Sequence, residues 1–151
     1  MKIIRVSTEM ELSEHEFPEG SYSRQNAVLR ELIGNDCNIY EHVLPERLYK
    51  EMHMIGQVTN VPGQCVSMLV DEEGLYKRSR SNLIGSYLYG TDVHGYPVMG
   101  NILIVGEKWG DEGIDFCGIE KSVFESLQQQ LNDMISAFKT SKHSGDMSRT
   151  F

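Results

Sequence analysis

Long apolar runs are absent from this chain: the longest, Ile102 to Val105 with Gly106, is about five residues, where a membrane-spanning helix needs roughly 18. Cysteine is scarce too. Cys37, Cys65 and Cys117 are odd in number, far apart and without CxxC spacing. They support neither a disulfide framework nor a zinc knuckle, and read as reduced core thiols. The opening MKIIRVSTEMELSEHE turns polar and acidic where a secretory signal needs an apolar core. A soluble, intracellular protein is expected. Positive charge is in the minority, with 14 Lys and Arg against 22 Asp and Glu, a net of −8. That balance repels phosphate backbones and anionic lipid at long range, which disfavours broad nucleic-acid or membrane-surface binding. Motifs of known chemistry are missing as well. The glycines of Gly106 to Gly113 lack a GK[ST] ending, and there is no GxSxG elbow and no HExxH. No cofactor is implied.

What is present fits one ordinary domain. At 151 residues, 40% hydrophobic and 24% charged, the chain is long enough to bury a core and too apolar for disorder. Lys2 to Ser7 and Cys65 to Val70 read as strands, as do Cys37 to Leu44 and Asn101 to Val105. From Ser23, a candidate cap, Ala27, Val28, Leu29, Leu32 and Ile33 share a helical side that ends at a left-handed Gly34. Pro45 to Ile55 predicts a short helix with Leu48, Met52 and Ile55 inward, and Ser79 to Tyr89 one or two helical turns. Asp71 to Gly74 predicts a hairpin turn into Leu75 and Tyr76, and Gly106 to Gly113 a polar turn holding Trp109. Ser122 to Glu125 has the capping-box pattern and opens a helix along Val123, Phe124, Leu127, Leu131, Met134, Ile135 and Phe138. The class expected is α+β: a mainly antiparallel sheet of four to six strands with helices packed on one face and a long C-terminal helix. Residues 1–139 form the single domain, and 140–151 a mobile tail.

Two charge features stand out. Glu9, Glu11, Glu14, Glu16 and Glu19 run without a Lys or Arg between them, either a solvated loop or edge, or an acidic surface that occupies a basic partner. Lys77, Arg78 and Arg80 form the one tight basic cluster. With Tyr76, Asn82, Tyr87, Tyr89 and Trp109 they make the candidate ligand-binding set, because Arg forks onto phosphate, Asn reads a base or ribose edge and aromatic rings stack on a purine. Within an acidic molecule such a pocket selects a small anion over a polymer. Asp111, Glu112 and Asp115 read as turn residues or as part of a magnesium site. The five histidines show no pairing with a thiol, and seven tyrosines and eight methionines suit either core or a homodimer interface.

Asp71-Glu72-Glu73-Gly74-Leu75-Tyr76-Lys77, Asn82, Tyr89-Gly90-Thr91, Gly100 to Glu107 and Asp115 to Ile119 before a helix resemble, in that order, the family filed as domain of unknown function 3846, common in bacteriophages and mobile elements. The resemblance covers about residues 27 to 138. Ile119 stands where that family has Leu, and Ser79-Arg80-Ser81-Asn82 replaces its Pro-Pro-Asn-Arg segment. The resemblance implies a phage or mobile-element accessory protein of the bacterial cytoplasm that counters host defence, and it brings no catalytic residue. Three functions are then open. The first is a non-catalytic binder that sequesters a small phosphorylated signal, and the second an acidic inhibitor of a host nuclease or restriction factor. The third is a metal-dependent phosphodiester hydrolase using Asp111, Glu112 or Asp115.

Overall fold

Ile102, Leu103, Ile104 and Val105 are all fully buried, and four consecutive buried residues in a strand require a packed layer on each side of the sheet. The computed structural model, which describes residues 1–143 apart from Met52 and Ile55, supplies both. The chain runs β1 (Lys2–Val6), β2 (Leu12–Glu16), α1 (Tyr22–Ile33), β3 (Tyr40–Val43), α2 (Glu46–Glu51), β4 (Cys65–Asp71), α3 (Leu83–Tyr89), α4 (Thr91–His94), β5 (Ile102–Gly110), β6 (Gly113–Cys117) and α5 (Lys121–His143). Six antiparallel strands form one sheet in the order β2-β1-β5-β4-β3, with β6 beside the far half of β5. β1 pairs with Ile102 to Ile104 and β6 with Gly106 to Gly110, so the two share one side of β5 in tandem. The expected α+β class, strand number and long C-terminal helix are all present.

The helices divide between the faces, which corrects the expected one-sided packing. Ile4, Val66, Met68, Ile102 and Ile104 face Leu48, Ile84, Leu88, Phe124, Leu127 and Leu131 of α2, α3 and α5. Their alternates Ile3, Leu69, Leu103 and Val105 face Leu29 and Ile33 of α1. A period of two sends neighbouring side chains to opposite faces, so a fully apolar strand needs both covers. Among the described residues no helix is long and apolar enough to cross a membrane.

Several local expectations change. Ser21, not Ser23, caps α1 by accepting from Arg24 N, and Gly34 is extended rather than left-handed. Glu120 caps α5, accepting from the backbone of Ser122 and Val123. Trp109 sits within β5 instead of a turn, whereas the acidic run keeps to the solvated loop or edge expected of it, with Glu14 and Glu16 on the edge strand β2 and Glu9, Glu11 and Glu19 flanking it. α5 continues to His143, into the predicted tail, and 144–151 lie outside the described residues. The inward placement expected of Met52 and Ile55 also lies outside them.

No hairpin follows β4. Asp71 folds the chain back locally by accepting from Glu73 N at 2.9 Å and holding Lys77 Nζ at 2.8 Å. Arg80 to Asn82 then lie along Val98 to Gly100. The clasp is Asn82, which is fully buried. Its Oδ1 caps α3 at Gly85 N, while its Nδ2 donates to the carbonyls of Val6 and Gly100, each at 3.0 Å. Removing that amide loses a cap and strands two carbonyls. Asn82→Ala is expected to cost roughly 2–4 kcal/mol in urea unfolding, against about 1 kcal/mol for Ser21→Ala at the exposed cap of α1. Equal costs would refute the clasp.

Candidate functional site

The structure does not gather the predicted ligand-binding set into one place. Asn82 is spent on the clasp at the start of β5, and Trp109 lies about 20 Å further along that strand at 3.3 Å per residue. Lys77 is held by Asp71 and the carbonyl of Asp36, and that carboxylate raises its pKa. Arg80 reaches Glu9 at 3.5 Å. Arg78, with a left-handed φ of 55°, is the one member of the basic trio whose side chain has no partner among the described residues. Tyr76 is almost fully exposed. Tyr87 donates to Glu51 at 2.9 Å, lies under the Arg47 guanidinium at 4.4 Å and meets Phe138 edge-on. Tyr89 lines a separate groove on the α5 side of the sheet. The acidic run is largely matched internally: Glu14 pairs with Lys2, Glu16 with the amino terminus and Glu9 with Arg80.

A different set converges toward the start of α1, where the sheet continues into the β5–β6 hairpin. On that face the alternation Leu103, Val105 is followed by Glu107 and Trp109 on β5, with Cys65 and Ser67 alongside on β4, His42 on β3, and Phe116 and Ile114 on β6. Glu107 is only 7% exposed and accepts from two neighbours, the Cys65 thiol at 3.2 Å and the Ser67 hydroxyl. Ser67 has one proton, which goes to Glu107, so His42 Nε2 at 2.8 Å is the donor to Ser67 Oγ. The same nitrogen lies 3.6 Å from Glu107 Oε2. β3 stops pairing at Met68, and Tyr49 of α2 satisfies the open edge by donating to the Val66 carbonyl.

These contacts resemble parts of a hydrolytic triad without its logic. The hydroxyl stands between the base and the acid, whereas nucleophilic activation needs the imidazole there. Ser67 is 1% exposed and reaches no substrate. Burial pushes the Cys65 thiol up to about 11, and the Glu107 carboxylate adds to this against the opposing contact with Tyr49. Burial likewise raises Cys37 and Cys117. All three thiols therefore stay protonated at neutral pH, and a protonated thiol is a poor nucleophile. Among the described residues no group of three His, Cys, Asp or Glu side chains is placed to hold a metal ion.

Above this polar floor the surface is apolar. Trp109 and Ile114 are cross-strand partners at the tip of the β5–β6 hairpin, 59% and 45% exposed, and Tyr22 at the start of α1 is 65% exposed. His42 packs edge-on against Phe116 at 5.6 Å. The rim is acidic. The hydrogen bond with Asp115 raises the Tyr22 hydroxyl above its ordinary value of 10.0, and desolvation with the charges of Asp111 and Glu112 acts in the same direction. Lys108, opposite Asp115, is the one cation in the hairpin.

Sequence reasoning missed this set because its members are 25 and 40 positions apart. One signal was available: the strand alternation that begins at Leu103 runs on through Glu107 to Trp109. Comparison with family profiles, curated proteins and solved structures gives no match to this chain.

The thiols give a pH test. A thiol whose folded pKa lies above its unfolded value stabilises the fold fully below the unfolded value, and loses that contribution as pH rises toward the folded one. For Cys65 the window runs from 9.0 to about 11. Urea stability is expected to fall across that window, and the fall to be smaller in Cys65→Ala. A flat profile would show that Cys65 is not in the described environment.

Proposed function

We propose that this protein is a non-catalytic binder that docks a basic partner protein on the hairpin end of the sheet. The observation that carries the reading is the exposed Trp109–Ile114 pair with Tyr22, rimmed by Asp111, Glu112 and Asp115. Large aromatic side chains left in water at the end of a rigid hairpin are the residue types that anchor protein interfaces. Carboxylates around them favour a partner of opposite sign and speed its approach. The buried floor of Glu107, Ser67 and Cys65 supports the same role, since a satisfied hydrogen-bond network fixes the strands that present the patch.

A small phosphorylated ligand finds less support. The hairpin is acidic, and two of the three residues in the basic cluster already answer carboxylates. In the mobile-element setting that the resemblance implies, the partner is a basic host nuclease or restriction factor, held away from its substrate. The sheet face serves as the docking platform in place of the Glu9 to Glu19 edge.

Affinity capture from a bacterial lysate tests this with three baits: the intact protein, Trp109→Ala, and the triple variant Asp111→Asn, Glu112→Gln, Asp115→Asn. A basic partner is expected to be retained by the first. Trp109→Ala weakens binding by about 2 kcal/mol, roughly thirtyfold in Kd. The triple variant slows association and removes most of its salt dependence. A partner that binds all three equally would place the interface elsewhere.

A further inference from the structure

The groove lined by Tyr89 lies on the opposite face of the sheet from the hairpin patch, at the other end of β4. It holds about 230 Å³, and its floor is apolar, built from Val70 and Val98. Tyr89 at the end of α3 and Tyr96 in the segment before β5 form its aromatic walls, and Tyr96 is 69% exposed. Glu41 of β3 and Glu72 after β4 stand at its mouth. No Lys or Arg lines the groove, and neither Glu41 nor Glu72 has an ion pair or side-chain hydrogen bond among the described residues. Asp71, the third carboxylate, is occupied by Lys77.

We infer that this groove is a binding site for a planar organic cation, the guanidinium of an arginine side chain. The three features select that chemistry in turn. Unmatched carboxylates exclude phosphate and other anions and offer a guanidinium paired, in-plane hydrogen bonds. Tyrosine faces attract a cation by their quadrupole and accept a flat one by stacking, which a compact ammonium does less well. The apolar floor takes the methylenes of the side chain, as long cationic side chains keep their stems on apolar surface and their charge at a polar mouth. A metal ion is a poor occupant, because two of the four wall and mouth groups are tyrosines and the floor is valine. This site is independent of the hairpin patch and shares no residue with it.

The test uses the full chain and N-acetyl-arginine amide as probe, followed by titration calorimetry and by NMR shifts of the tyrosine rings. Saturable binding is expected, with shifts at Tyr89 and Tyr96. N-acetyl-citrulline amide, nearly the same shape without the charge, binds at least about tenfold more weakly. Tyr96→Ala and the Glu41→Gln, Glu72→Gln pair each weaken the probe by a similar factor. These positions are at the surface, so unchanged thermal unfolding of the variants separates lost binding from lost structure. No saturable response, an equal response to citrulline, or variants that fold and bind like the parent would each overturn the assignment. Because the readouts are at Tyr89 and Tyr96, failure here leaves the hairpin reading untouched.

Discussion

The constraint on which the rest depends is the mismatch in length between β5 and the helix above it. Nine residues of antiparallel strand extend about 30 Å, and the twelve residues of α1 about 18 Å. α1 seals Leu103 and Val105 with Leu29 and Ile33, and touches the hairpin end only with its first turn, at Tyr22 and Gln25. There the next inward position is Glu107, a polar side chain too buried to be served by bulk water. The partners come from the adjacent strands, Cys65 and Ser67 on β4, with His42 closing the set from β3. Breaking a buried carboxyl network by removing one donor leaves the acceptor unsatisfied, which costs more than the bond itself contributed. The network therefore acts as the rigid end wall of the core, and the exposed Trp109 beyond it is presented on a fixed base.

On the other face the same strand solves its covering problem with backbone. Gly106 lies directly under the carbonyl of Gly118 and beside Gly63, so a methyl group at Gly106 or Gly63 would collide with main-chain atoms. The turn at Gly63 is stitched across the hairpin by its own N–H to the Glu107 carbonyl and by Glu120 N–H to its carbonyl, each at 3.0 Å. Only glycine permits strands and turn to approach so closely. The consequence reaches α5, because Glu120 is also its cap, so the start of the longest helix is fixed to the same strand that carries Glu107 and Trp109.

Elements with local, periodic signals were legible. α5 shows a helical stripe over several turns, and β4 with the first half of β5 shows continuous apolar runs bounded by turn residues. What was not legible is long-range. The stretch from Gly106 to Gly113 reads as a polar turn by composition, yet Gly106 to Gly110 is strand, because β4 and β6 supply partners that no local window contains. The hairpin expected after Asp71 failed for a related reason: the turn residues are there, but Asp71 and Lys77 close the turn on itself and Asn82 directs the chain into α3. The residues that carry the resemblance take part in the same contacts. The Asp71 to Gly74 turn, Asn82 and the Gly100-Asn101 step are joints between β4, α3 and β5. Asn101, in that last step, receives Thr8 N–H and donates to the Ile33 carbonyl at 2.9 Å. These positions carry architecture, and the candidate docking residues fall mainly outside them.

The distribution of charge decides what the architecture presents. A net of −8 is not spread evenly once internal pairing is taken into account. Glu9, Glu14, Glu16, Glu51, Asp71 and Asp92 each meet a cation, and Glu120 is taken by a helix cap. Asp111 and Glu112 at the hairpin, and Glu41 and Glu72 at the groove, form no ion pair among the described residues. Surface pairs contribute little to stability, but they cancel field, so the unmatched carboxylates at the hairpin and at the groove leave negative potential beside exposed aromatic side chains. Unmatched charge beside exposed aromatic surface, at opposite ends and on opposite faces of one sheet, is the common ground of the two sites proposed for cationic partners.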